Sequence, residues 1–208
     1  MILIGQYDSP FVRRVGIALM LYDIPFEHRP WSTFRDADKI RPYNPLTRVP
    51  TLVLDDGEVL IESHIMLDYL DNLVAAERRM FPIAEPARHK ALRVAALATG
   101  MADKAVSLFY ERALHKQASD TWIERCRLQV SGVLAALEAD RVARESDYWF
   151  GDRIGHPDIA VAAALRFISE AHSDTVPLAD YPALGAHAAK LEALPVFRIV
   201  SQPFIAPS

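Results

Sequence analysis

Ser9 stands directly before Pro10 in the stretch GQYDSPFVRRVGIAL, Gly5 to Leu19, with Tyr7 two residues upstream. Proline fits a first helical turn, whose N–H groups have no intrahelical partner, so the pattern predicts a helix from Pro10 to about Tyr22. Phe11, Val15, Ala18 and Tyr22 fall on one face of it. A serine hydroxyl at such a helix mouth can cap the helix. It can also donate to an anion that the helix's partial positive charge already favours. Tyr7 offers a second hydroxyl nearby. Farther on, Glu62 and Ser63 put a carboxylate and a hydroxyl where an apolar run gives way to a second helix; read alone, Ser63 is an N-cap and Glu62 a solvated charge. Cys126 is the sole cysteine, which excludes an internal disulfide, a CxxC pair and a thiolate-rich metal site. Its helical surroundings, WIERCRLQV, read as those of a packed thiol. No GxGxxG occurs, so no nucleotide is expected as cofactor; no metal is expected either.

These residues need elements to hold them. MILIGQ reads as a buried strand, FEHRPW as a second, RDADKIRPY as a short irregular helix, and TLVLDDGEVLI as a hairpin turning at Asp55-Asp56-Gly57. Ser63 then opens a helix whose inner stripe is Ile65, Met66, Tyr69, Leu70 and Leu73. The order βαβαββα predicts a mixed sheet flanked by helices over residues 1–79. Pro82 and Pro86 interrupt a linker at 80–86. Residues 87–208 change texture. Ala87 to about Arg144 fits two long helices, GHPDIAVAAALRFI opens a third and very apolar one central to its own core, and YPALGAHAAKLEAL and PVFRIVS give shorter ones introduced by proline. The second half is therefore an all-helical domain of about five helices.

Composition narrows the partners. The 208 residues suffice for one large or two modest domains, and 51% hydrophobic with 24% charged residues is a soluble globular balance. A net charge of -4 gives no electrostatic ground for nucleic acid or an anionic membrane. No apolar run reaches bilayer length, and MILIGQYDSPF lacks the basic start and long apolar block of a secretory signal. The expected location is the cytoplasm.

Four motifs, in order, carry a resemblance that covers nearly the whole chain: YDSPFVRRVGIAL, NPLTRVPTLVLDDG, LIESHIMLDYL and GHPDIAVAAAL. Together the chain resembles the cytosolic glutathione S-transferase superfamily, nearest to serine-type bacterial members. The resemblance implies a thioredoxin-like βαβαββα domain followed by a helical bundle. It also implies an enzyme that joins glutathione, as co-substrate, to a small electrophile. Ser9 would stabilise the glutathione thiolate, with Tyr7 as the rival. Lowering a thiol from about 8.5 to about 7 takes roughly 2 kcal/mol, an amount that one hydroxyl and a helix terminus can supply. Val49 and a cis Pro50 would line the cysteinyl part, Phe11 would join the glutathione site, Glu62 and Ser63 would hold the γ-glutamyl end, and Arg48 can meet the glycyl carboxylate. Arg13, Arg14 and His64 are weaker candidates, and His64 is expected to line the helix surface rather than do acid–base work. Ser9 where cysteine-type relatives carry Cys disfavours thiol-transferase activity. The second substrate would lie against Met101, Lys104, Leu108 and Arg112, with Asp103 near a homodimer seam. Gly155 replaces the Ser or Thr that often caps the core helix, which predicts a weaker cap. The alternative is a transferase-like protein that binds glutathione or another ligand, or regulates a partner, without turnover.

Overall fold

Ile2–Ile4 forms strand β1 at an inner position of a four-stranded sheet in the computed structural model, which describes residues 1–173 and 176–206. Helix α1 (Pro10–Leu21) follows, then strand β2 (Glu27–Arg29), the one-turn helix α2 (Ala37–Ile40), strands β3 (Thr51–Val53) and β4 (Val59–Ile61), and helix α3 (Ser63–Leu73). Strand β2 pairs parallel with β1, while β3 runs antiparallel to both β1 and β4, giving the order β2-β1-β3-β4. Ile2 lies opposite Glu27 and Val53, and Thr51 opposite Ile61. Alternation along the strands splits the core. Ile4 and Val53 meet Ile40 of α2 on one face, whereas Leu3 and Leu52 meet Val12 and Val15 of α1 on the other. This is the thioredoxin-like arrangement that the resemblance implies.

The helical half comprises α4 (Ala87–Leu114), α5 (Asp120–Val142), α6 (His156–Ala171), α7 (Pro182–Glu192) and α8 (Pro195–Ile199). Cys126 is buried in α5. Helix α6 is not confined to a core of its own. Val161, Ala164 and Ile168 join the α4–α5 cluster, while Ile159 and Ala162 pack with Leu3, Val12 and Val15 of the sheet half. A helix apolar all round has to be covered all round, and α1 supplies the missing cover. Gly155 precedes α6, and Asp158 supplies one half of a cap, accepting the Gly155 N–H at 2.8 Å. The other half is missing, as expected for a residue without a side chain.

Helix α3 differs from its expected phase. Met66 and Leu70 are buried, but their inward companions are Ser63, Leu67 and Asp71, while Ile65 and Leu73 are about half exposed. The polar groups Ser63 and Asp71 set this rotation because each has a buried partner to meet. Asp71 Oδ1 accepts from His156 Nε2 at 2.7 Å and from the Tyr22 hydroxyl, and Oδ2 accepts the Phe81 N–H at 3.2 Å. Burial pushes the Asp71 carboxyl up, but hydrogen bonds from His156 and Tyr22 outweigh it and hold the carboxyl below its usual range. A second buried network pins α1 to the end of the chain. Arg13 forms a bidentate pair with Glu192, at 2.6 and 2.7 Å, and donates to the carbonyls of Val200 and Phe197 at 2.8 and 2.9 Å.

Candidate functional site

A cleft runs along the junction of the two halves as two adjoining cavities, of about 460 and 380 Å³. Phe11, Arg48, Val49 and Asp103 line both and mark where they meet. Ser9 opens onto the larger one. It is the N-cap of α1, and its Oγ accepts the Val12 N–H at 3.4 Å. That bond uses a lone pair and leaves the hydroxyl proton free to donate. Tyr7 lines neither cavity. Its ring stacks on His28, centroids 3.9 Å apart, and lies beneath Gly16, where a Cβ would come within 2.8 Å of Tyr7 Cε1. Burial pushes the phenol up to about 12. The rival hydroxyl is thus a packing wedge under α1.

The loop before β3 forms one wall. The Val49–Pro50 peptide bond is cis. Gly5, at φ +130°, allows this loop to approach, because a Cβ there would lie 2.5 Å from Val12 Cγ2 and 2.8 Å from Val49 Cβ. Asn44 anchors the turn by donating to the Arg48 carbonyl and to Thr51 Oγ1, both at 3.0 Å. Neither the N–H nor the C=O of Val49 is hydrogen-bonded within the described residues, so a strand-like ligand can pair with both. Arg48 is exposed, and its Nη1 lies 3.5 Å from Glu62 Oε1.

Glu62 and Ser63 join the smaller cavity at the head of α3. Here the expected cap is displaced by one residue: Ser63 is the first helical residue, and Glu62 occupies the cap position with φ 67 and no side-chain cap bond. The tight left-handed turn out of β4 consumes the residue that would precede a Ser63 cap. A non-glycine residue at positive φ costs of order 1–3 kcal/mol. In return Glu62 lines the cavity and Ser63 is buried at the helix N-terminus. Arg14 lies beside them. It is 2% exposed, lines the same cavity, and donates from Nη1 to Ser63 Oγ at 3.4 Å.

The opposite wall corrects the sequence reading. Met101 and Leu108 are completely buried in the helical core. Lys104 pairs with Asp103 at 3.2 Å and sits over the Trp122 ring. Neither these three nor Arg112 lines either cleft cavity. The cleft instead receives Asp103, Val106, Ser107 and Tyr110 from α4. This set repeats at three and four residues, nearly diametric to the expected one. Met101 and Leu108 go to the core, while Phe109 of α4 also reaches the cleft.

Phe204 and Ile205 complete the larger cavity from the far end of the chain. The Phe204 N–H donates to Glu170 Oε2 at 2.8 Å and the Ile205 N–H to Asp8 Oδ2 at 3.1 Å. Phe204 packs edge-on against Phe109 and Phe167, at centroid separations of 4.9 and 5.5 Å. Burial raises the Asp8 carboxyl against the pull of its N–H donors, and burial also raises the Tyr110 phenol. No local pattern in the sequence ties this tail to Ser9, and Arg14 is indistinguishable there from Arg13.

The described residues contain no cluster of three or more His, Cys, Asp or Glu placed to hold a metal ion. No helix among them is long and apolar enough to cross a membrane. Residues 3–78 match the family model of the glutathione S-transferase N-terminal domain, and residues 120–190 that of its C-terminal domain. The chain is 29% identical over 168 residues to an uncharacterized GST-like protein, YibF, of Escherichia coli K12, covering 80% of this chain and 81% of that one. It is 25% identical to glutathione S-transferase U6 of Arabidopsis thaliana, over 81% and 71% of the two chains. Among solved structures, a glutathione S-transferase from Methylobacterium radiotolerans in complex with glutathione sulfonate superimposes with a TM-score of 0.90 at 28% identity, over 100% and 97% of the chains. A glutathione transferase family member from Pseudomonas fluorescens Pf-5 with bound glutathione gives 0.85 at 28% identity, over 98% and 99%. With both halves matched, and a cleft between them walled by a cis-proline loop, the chain belongs to the glutathione S-transferase superfamily.

Proposed function

We propose that the protein is a cytoplasmic, homodimeric glutathione transferase that joins the glutathione sulfur to a small electrophile. The observation that carries this reading is the convergence of Ser9, Val49-Pro50 and Glu62-Ser63 on one continuous cleft whose other arm is aromatic. Glutathione bound to related bacterial structures supports it. In this reading the open Val49 backbone pairs with the cysteinyl peptide, and Phe11 packs beside it. Glu62 meets the ammonium group, Ser63 and the N–H groups of α3 receive the γ-glutamyl carboxylate, and Arg48 reaches the glycyl carboxylate.

The sulfur then lies at the mouth of α1. Ser9 donates its hydroxyl proton to the thiolate while its oxygen keeps the cap bond. The thiol proton passes to solvent, the thiolate attacks the electrophilic carbon, and a C–S bond forms as the leaving group departs or an epoxide ring opens. The aromatic walls from Phe109, Phe167 and Phe204 exclude water and fit a flat apolar electrophile. Titrating glutathione and assaying a chlorinated aromatic or an epoxide test the reading together. Saturable binding with turnover that falls about 10-fold or more in Ser9→Ala is expected. Absent glutathione binding contradicts the reading; binding without turnover favours a glutathione-binding carrier or regulatory protein.

A further inference from the structure

Asp8 is an acid placed where the proposed chemistry gains least from a negative charge. It directly precedes Ser9, lines the same larger cavity, and is half-buried. A carboxylate there opposes ionisation of a neighbouring thiol by like-charge repulsion. Its hydrogen bond to another element is the one that Oδ2 accepts from the Ile205 N–H at 3.1 Å. An amide side chain would accept that bond too and carry no charge. No cation among the described residues lies within ion-pair distance of Asp8, and the charged group that acts on it, Glu170, is another anion. Burial is the largest cause that raises the carboxyl, and Glu170 adds to it against the N–H donors.

The other acidic groups of this arm are poorer proton donors. Asp103 is paired with Lys104 at 3.2 Å. Burial raises the Tyr110 phenol, already a weak acid, so it yields its proton less readily still. The Ile205 N–H fixes one Asp8 oxygen at the edge where the tail meets the mouth of α1. The other oxygen is left to carry a proton beside Ser9. A thiolate bound at Ser9 puts a further negative charge next to Asp8, which favours its protonated form. A nucleophile and a proton donor then stand side by side. That pair suits an electrophile whose oxygen becomes anionic on attack.

We infer that Asp8 is a catalytic residue that donates a proton to the oxygen of an epoxide as the glutathione sulfur attacks the adjoining carbon. The inference rests on the transferase reading and narrows its electrophile to one that needs a proton. The C–S bond forms, the C–O bond breaks, and its electron pair goes to oxygen. Asp8 gives its proton to that oxygen and is left as a carboxylate. It regains a proton from solvent, which has received one from the thiol, so protons balance. An aromatic chloride expels chloride and needs no proton, which makes it the internal control.

Turnover of styrene oxide and of chlorodinitrobenzene by wild type, Asp8→Asn and Asp8→Glu, at saturating glutathione, tests this. Asp8→Asn keeps an acceptor for the Ile205 N–H and loses the acid. The ratio of kcat/KM for the epoxide to that for the aromatic chloride is expected to fall about 30-fold in Asp8→Asn and to recover in part in Asp8→Glu. A fall of less than about 3-fold would overturn the inference and make Asp8 an anchor for the tail, with the transferase reading intact. Wild type that turns over the aromatic chloride but not the epoxide would overturn it in the same way. No turnover of either substrate would overturn the inference together with the transferase reading. Should Asp8→Asn not fold, the solvent deuterium isotope effect on wild-type kcat/KM decides. An effect about 2-fold larger with the epoxide than with the aromatic chloride is expected, and equal effects contradict it.

Discussion

Arg13 and Arg14 are neighbours on one helix, equally buried at 2% exposure, and they are built in opposite ways. Arg13 spends its donors on Glu192 and two carbonyls. Arg14 keeps one long bond to a hydroxyl and an orphaned Nε. The first is a finished structural joint between α1 and the C-terminal helices. The second is half of a joint, and it faces a cavity. The contrast extends to the carboxylates: Asp71 is enclosed by Tyr22, His156 and Phe81, whereas Glu62 stands exposed at the cleft with a 3.5 Å contact to Arg48. Within this fold, Arg13 and Asp71 are joints between elements, whereas Arg14 and Glu62 face the cleft.

Removing each group separates the two kinds. Arg13→Met should cost about 3 kcal/mol of stability in urea denaturation, the low end for a broken buried pair because Arg166 still reaches Glu192 at 3.3 Å. Its folded fraction should bind glutathione as wild type does; a loss of affinity would dissolve the distinction. The Asp71 network gives the next effect. Burial holds His156 below its ordinary value despite the raising effect of Asp71. The unfolded chain therefore takes up a proton below pH of about 6.5 that the native protein refuses, and stability falls as pH drops through that value, by at most about 1.4 kcal/mol per unit. The lowered Asp71 carboxyl adds a further loss at lower pH, once it too is protonated. His156→Asn should flatten the upper part of this slope; an unchanged slope between pH 6.5 and 5 would remove His156 from the account. The smallest effect has the opposite sign. Arg14→Met should stabilise the ligand-free protein by about 1 kcal/mol, since it deletes an uncompensated charge and keeps the packing. A loss as large as that of Arg13→Met would make Arg14 architectural.

Local signals were legible in the sequence and long-range facing was not. Ser9-Pro10 marked the start of α1, Asp55-Asp56-Gly57 the hairpin, and prolines the starts of α7 and α8, because capping and turn chemistry act within a few residues. The cleft wall of α4 is not legible in the sequence. An alanine-rich helix with charges on several faces does not reveal its inward side, and Met101 and Leu108 were claimed by the core. The phase of α3 was set by Asp71 meeting His156, 85 residues away in sequence. Phe204 reaches its cavity through Glu170, and Ile205 through Asp8 at the other end of the chain. Nor do two consecutive arginines differ until it is known what packs against each.

In the proposed reaction the Ser9 hydroxyl at the head of α1 keeps the sulfur of bound glutathione ionised near neutral pH. Following the ultraviolet absorbance of the thiolate across pH, with glutathione saturating wild type and Ser9→Ala, tests it directly. The expected midpoint is about 7 in wild type, with a return toward about 8.5 in the variant. Identical midpoints in the two proteins, or a wild-type midpoint at the free-thiol value, would contradict it.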